Sequence, residues 1–279
     1  MAIVLMLLAS ASFATMAALV KSLGGGMPLL QMVSLRCLIS APVLFVILAY
    51  RGQPVLVRAK KVLLLRTLLG MSAMCGFFYA LTHMELAGCI FIGRAQPLFL
   101  ALLAPVILGE ATPRAVWLAI GLGFAGVLII VNPAGIWSPA ALAALFAALA
   151  SAGAHLMVRR LNRTDPPLLI VANFTLLTGF VTMVPALLFF RKMDARQWLT
   201  IIAIAILATC GQLLMTNAYR RDRAPAVAAA SYSSLVLSVL YGYLFWDEIP
   251  GGAIWLGGIF ILVGGIILLF SRIGHEEHV

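Results

Sequence analysis

The sequence predicts an all-α integral membrane protein of ten transmembrane helices, built as two inverted five-helix repeats. Three observations predict it. The chain is 63% hydrophobic and only 10% charged, with a mean hydropathy of +1.10; a soluble domain holds about half apolar and about a quarter charged residues. Its apolar residues gather in ten runs, each close to the roughly 20 residues that cross a hydrocarbon core. A constant offset of 138, the step from Lys21 to Arg159, also lays the first half on the second. It pairs Leu23 with Leu161, Pro28 with Pro166, Glu110 with Glu248, Trp117 with Trp255 and Gly126 with Gly264.

The spans follow in order, each closed by a turn or a charge. Span one, 2–21, is apolar from the start, lacks a basic leader and ends at Lys21 before GGGMP at 24–28. Span two, 29–50, stops at RGQP, 51–54. Span three, 62–82, meets span four, 86–108, across a tight turn at Thr82, His83, Met84 and Glu85. ATP at 111–113 precedes span five, 114–131, and NPAG at 132–135 ends it. Span six, 138–158, runs into Arg159 and Arg160, and DPP at 165–167 opens span seven, 168–190. Span eight is 197–219, span nine 224–245 and span ten 252–271, the last two divided by IPGG at 249–252. The repeats are 1–137 and 138–279, forming one membrane domain. Five spans is an odd number, so one half must sit upside down relative to the other.

A net charge of +10 would suggest nucleic acid for a soluble protein. Here the basic residues stand in short loops, where they set orientation. With the N-terminus inside, thirteen Lys and Arg, Arg66 among them, fall on the cytoplasmic side and four outside; Arg36 and Arg94 lie within spans, completing the 19. The bias predicts both termini in the cytoplasm and a multi-pass protein of the bacterial inner membrane. No nucleic-acid partner and no cofactor are expected. Cys37, Cys75, Cys89 and Cys210 all lie in apolar runs without metal-ligand spacing, and read as packing residues.

The polar residues inside spans carry the functional signal. Arg94 lies about eight residues, so roughly 12 Å, into span four. A central arginine costs about 2.5 kcal/mol or more to insert. It either faces a watery cavity and receives an anionic group such as a carboxylate, or bonds carbonyls and hydroxyls across the bundle. Its repeat-mate is Tyr232, within the hydroxyl-rich Ser231–Ser234 and near Ser238, which read as cavity lining. Arg36 is expected to reach the outer surface or a neighbouring carbonyl. Tyr79 and Asn217 are repeat-mates, and with Gln96, Gln212, Thr15 and Phe78 they are candidates to contact a substrate. His155 and His83 are candidates for proton handling. Glu110 and Glu248 each precede a new helix and read as caps on its free N–H groups.

Pro97 followed by LFLALLAPVILGE and AIGLGFAGVLIIV resembles the drug/metabolite transporter superfamily, specifically its EamA-type members. The second half keeps the pattern as SSLVLSVLYGYLFWDE and GGIFILVGGIILLF, with Leu235 where Pro97 would repeat. Arg94 departs from the small or apolar residue expected just before that proline. The resemblance spans the chain and implies two five-helix repeats. It looks closest to bacterial exporters of amino acids and other metabolites.

Inverted repeats suit alternating access around a site near the midplane. The expectation is therefore a secondary transporter exporting small metabolites, amino acids foremost, acting as a monomer or homodimer in the lipid bilayer. The alternative is a multidrug exporter of lipophilic cations, which Arg94 would repel. An intramembrane enzyme would need a mid-span acid, metal set or activated nucleophile, and the expected spans hold no acid at their centres. Small multidrug members of the superfamily rely on a glutamate in the first span, and span one here has none.

Overall fold

The computed structural model describes residues 2–24, 26–108, 114–131, 138–221 and 230–276. Every regular element among them is helical. In the first half these are α1 (Ala2–Ser22), α2 (Leu29–Tyr50), α3 (Lys60–His83), α4 (Leu86–Gly93), α5 (Gln96–Leu108) and α6 (Arg114–Val131). The second half holds α7 (Pro139–Leu161), α8 (Pro167–Leu188), α9 (Ala195–Arg221), α10 (Ser233–Trp246) and α11 (Gly252–Glu276). Eight segments are long and apolar enough to cross a bilayer, with Leu86–Leu103 counted as one; two shorter apolar helices stand where spans nine and ten were expected. The chain is an all-α multi-pass membrane protein.

Span four differs from the single helix expected. It breaks between α4 and α5, at Arg94 and Ala95. Pro97 in the first turn of α5 has no N–H to give, and its ring disfavours helical backbone just before it. The second central helix is interrupted at the matching place: Arg94 has φ −72° and ψ −5°, and Tyr232, just before α10, has φ −66° and ψ −14°. No proline causes that second interruption. Serine hydroxyls compete for the backbone instead: Ser233 Oγ donates to the Ala230 carbonyl at 2.8 Å and Ser234 Oγ to the Ser231 carbonyl at 3.1 Å. Residues 224–229 of the expected span nine lie outside the described residues.

Pro28 and Pro166, paired by the offset, precede α2 and α8 in the same extended backbone conformation, with ψ of 136° and 146°. The helices then pack in pairs: α1 on α9, α3 on α7, α2 on α8, α6 on α11, and α4 against α10. The α6–α11 contact is closest because both sides are glycine. A Cβ on Gly264 would lie 2.7 Å from the Ala119 carbonyl oxygen, and one on Gly126 would meet Gly257 and Phe260. The core is apolar, but so is the outside, where residues such as Val46 and Val236 are two-thirds exposed or more. A helix apolar all round needs an apolar solvent, which the bilayer supplies.

One end of the bundle is locked by polar contacts. Lys21, at the end of α1, pairs with Glu248 beyond α10 and donates to the Met84 carbonyl at 2.6 Å. Glu248 Oε2 also accepts the Leu86 N–H, the first of α4, at 2.9 Å. This corrects the expectation for Glu248. It caps a helix start, but that of α4 in the other half rather than that of α11, because the turn carries its carboxylate back across the bundle. Glu110 lies outside the described residues.

Candidate functional site

Between the halves lies a cavity of about 380 Å³, reached by side chains from α1, α2, α3, α4, α7, α8, α9 and α10. Its volume is in the range of small-molecule sites. The wall is mostly apolar, with Phe13, Met16, Phe77, Phe78, Ile90 and Phe174, yet three guanidiniums reach it: Arg36, Arg66 and Arg94. Ser151, His155, Gln212 and Ser234 are its other polar members, and among the described residues none that lines it is acidic.

Arg94 is positioned by the two helix breaks. The Leu235 N–H bonds the Tyr232 carbonyl at 2.9 Å, a three-residue turn in place of the four-residue step of an α-helix. The Ser231 carbonyl is thereby turned toward side-chain donors. Arg94 Nη2 donates to it at 2.9 Å and also to Ser234 Oγ, while Nη1 donates to Ser231 Oγ at 3.3 Å. Arg94 thus bonds a carbonyl and hydroxyls of the opposite half, as the second of its two readings has it, and it also lines the cavity.

Arg36 and Arg66 depart from expectation. Arg36 was expected to reach the surface or a carbonyl. It is instead 7% exposed, on the cavity wall, with Nη1 donating to Met74 Sδ at 2.6 Å. Arg66 counts with the cytoplasmic charges in the sequence although span three, 62–82, contains it; it stands inside α3 with its guanidinium 4.0 Å from the Phe174 ring centroid. The missed signal was its setting: VLLLRTLLG puts a charge between two leucine runs, where a loop residue would not be.

Of the other candidates, Phe78, Gln212, His155 and Ser234 line the cavity, and His155 Nδ1 hydrogen-bonds the Ser151 carbonyl oxygen at 2.7 Å. Ser231 stays behind Arg94 as its acceptor. Several others are not on this wall. Tyr232 sets its hydroxyl against Gly265 of α11, in the space a Cβ would take. Tyr79 is next to Phe78 and so turned about 100° around the same helix; it stacks on His83 at 4.2 Å, and both line a groove at the Lys21 end. Thr15 shares a 3.0 Å hydrogen bond with Tyr241. Asn217 is exposed and donates to the Leu213 carbonyl of its own helix at 2.8 Å. Gln96 opens α5 just past the break, away from the cavity wall.

Comparison with known proteins decides the class of molecule that carries this site. The profile of the EamA-like transporter family matches residues 1–132 and again residues 138–270. The chain belongs to this family. It is a membrane transporter, not an enzyme. This EamA-like transporter is similar to the pseudopaline exporter of Pseudomonas aeruginosa, at 29% identity over 98% of this chain and 97% of that one. It is similar to a riboflavin transporter of Vibrio cholerae, at 30% identity over 60% of this chain and 57% of that one. A crystal structure at 24% identity superposes with a TM-score of 0.69 over 98% of each chain, a likeness of fold.

Proposed function

We propose that this transporter exports a small carboxylate-bearing metabolite across the bacterial plasma membrane by alternating access, with amino acids as the leading class. The observation that carries the reading is the cavity, where Arg94 offers a guanidinium beside hydroxyl, amide and aromatic groups. A carboxylate suits that guanidinium, and Phe77, Phe78 and Phe174 suit an apolar side chain. The similarity to a pseudopaline exporter favours export of a metabolite, and the riboflavin transporters show that relatives differ in cargo. Lipophilic cations fit less well, because the wall carries arginines and, among the described residues, no acid.

Alternating access is supported by the packing. Under the offset of 138, α3 on α7 exchanges with α9 on α1, while α2–α8 and α6–α11 each map onto themselves. A pseudo-twofold axis through the bundle has this property. With both termini inside, the Lys21–Glu248 lock closes the outer end, and Arg66 and His155 line the cavity on its cytoplasmic side.

Uptake into liposomes carrying the purified protein tests the reading, with labelled amino acids and a lipophilic cation such as tetraphenylphosphonium. An amino acid should move and the cation should not. Arg94→Ala should fold and lower that flux about ten-fold or more, the worth of a charged hydrogen bond. Movement of the cation alone would sink the proposal.

A further inference from the structure

We infer that the cavity is built for a substrate with two or more carboxylates, rather than for a simple zwitterion. The inference rests on the transport reading above and concerns the same cavity. One guanidinium would suffice for an α-amino acid, and an acid would be expected for its ammonium. The cavity instead gathers Arg36 from α2, Arg66 from α3 and Arg94 from the break after α4, with no acid among the described residues of its wall.

The second observation is what two of these arginines lack. Among the described residues, the buried Nε of Arg36 and the buried Nε and Nη1 of Arg66 have no hydrogen-bond partner. The Nη1 of Arg36 reaches only sulfurs, Met74 Sδ and, at 4.0 Å, Cys37 Sγ. Arg66 is held by the face of Phe174 and by the space at Gly70, where a Cβ would collide with its guanidinium. These contacts orient a charge without neutralising it. A buried guanidinium with no acceptor is costly, and cores usually relieve that by pairing it with a carboxylate. Among the described residues no protein carboxylate lines the wall. An oxygen-rich anion arriving from outside the chain would supply the acceptors, and its planar carboxylates match the arginine fork.

The geometry also orders the contacts. Arg94 is already engaged by Ser231 and Ser234 of the opposite half. It can share its charge with a ligand while tying the halves together. Arg36 and Arg66 sit on helices of the first half and hold donors in reserve. A ligand with two separated carboxylates can therefore bridge them, and the phenylalanines of the same wall accept its apolar linker.

Calorimetric titration of the purified full chain in detergent tests this without requiring flux. The probes are citrate, with three carboxylates, glutarate with two, the zwitterion alanine, and tetraphenylphosphonium. Citrate or glutarate should bind at least ten-fold more tightly than alanine, and the cation should not bind. Arg36→Gln and Arg66→Gln should each weaken carboxylate binding about ten-fold or more, and Arg66→Lys should weaken it less than Arg66→Gln. Alanine binding as tightly as glutarate, or no carboxylate binding at all, overturns the inference; so do folded glutamine variants with unchanged affinity. If a variant fails to fold, the wild-type series decides alone. Carboxylate binding without flux in liposomes sinks the transport reading and leaves this one standing. Flux of an amino acid without preference for added carboxylates does the reverse.

Discussion

Glu248 shows how much one side chain can do in a bundle with few charges. It pairs with Lys21 and accepts the Leu86 N–H, so removing it leaves a half-buried ammonium and an uncapped helix start. Glu248→Ala should lower stability by about 1–3 kcal/mol, and Glu248→Gln less, since an amide oxygen still accepts from Leu86; thermal unfolding in detergent measures both. Glu85, in the turn before α4, is the complementary case. Burial of its carboxyl, and then the neighbouring Glu248, hold its pKa above the ordinary 4.5 in spite of Lys21. A raised folded pKa means that the protonated group favours the folded state. Its stabilising contribution is full below about pH 4.5 and is lost as the pH rises through the raised value. Glu85→Gln should therefore match wild type in acid and melt at a higher temperature near neutrality. Equal pH profiles for the two proteins would refute this. At this scale the sequence was partly legible. Arg94 stood out because charge inside an apolar run is rare, and Arg66 satisfied the same criterion but stood close enough to Lys60 and Lys61 to be read with them. Facing was not legible. Phe78 and Tyr79 are adjacent and both aromatic, and only packing turns one to the cavity and the other to the groove at the Lys21 end.

Helices were readable as segments but not as breaks or partners. Apolar length sets a span, and the turns at GGGMP, DPP and IPGG set its ends. Pro97 is a signal for the break after Arg94 that the reading of 86–108 as one span passed over. The matching interruption at Tyr232 had no such marker, because Leu235 replaces the proline, and a serine hydroxyl bonding the carbonyl three residues back also occurs in unbroken helix, as Ser238 shows within α10. Partner choice was hidden for a related reason: helices apolar on every side give no stripe to orient them. The glycines of α6 and α11 are the exception. Gly126 and Gly264 matched under the offset, and each proves to be where the two helices touch backbone to backbone. Gly264→Val puts branched carbon into that contact and should destabilise the protein by about 1–3 kcal/mol. Gly121, which has nothing near its Cβ position, is the control and should tolerate alanine. Equal melting temperatures for both variants would show that the close contact contributes nothing.

For the whole molecule, composition and the offset of 138 predicted an all-helical membrane protein, and the helices, the packing and the family agree on that class. The cavity was not legible as a whole. It is assembled from eight helices, and no pattern along the chain says that Arg36, Arg66 and Arg94 converge. The account rests on a carrier that moves carboxylates by exposing this cavity to each side in turn. Solute counterflow tests it most directly. Proteoliposomes are preloaded with unlabelled substrate, either the amino acid that moves best or glutarate, and diluted into a trace of the same labelled compound. An alternating-access carrier should draw label inward to a transient peak above equilibrium, and Arg94→Ala should abolish the peak. Label that only equilibrates, with or without Arg94, would contradict the account.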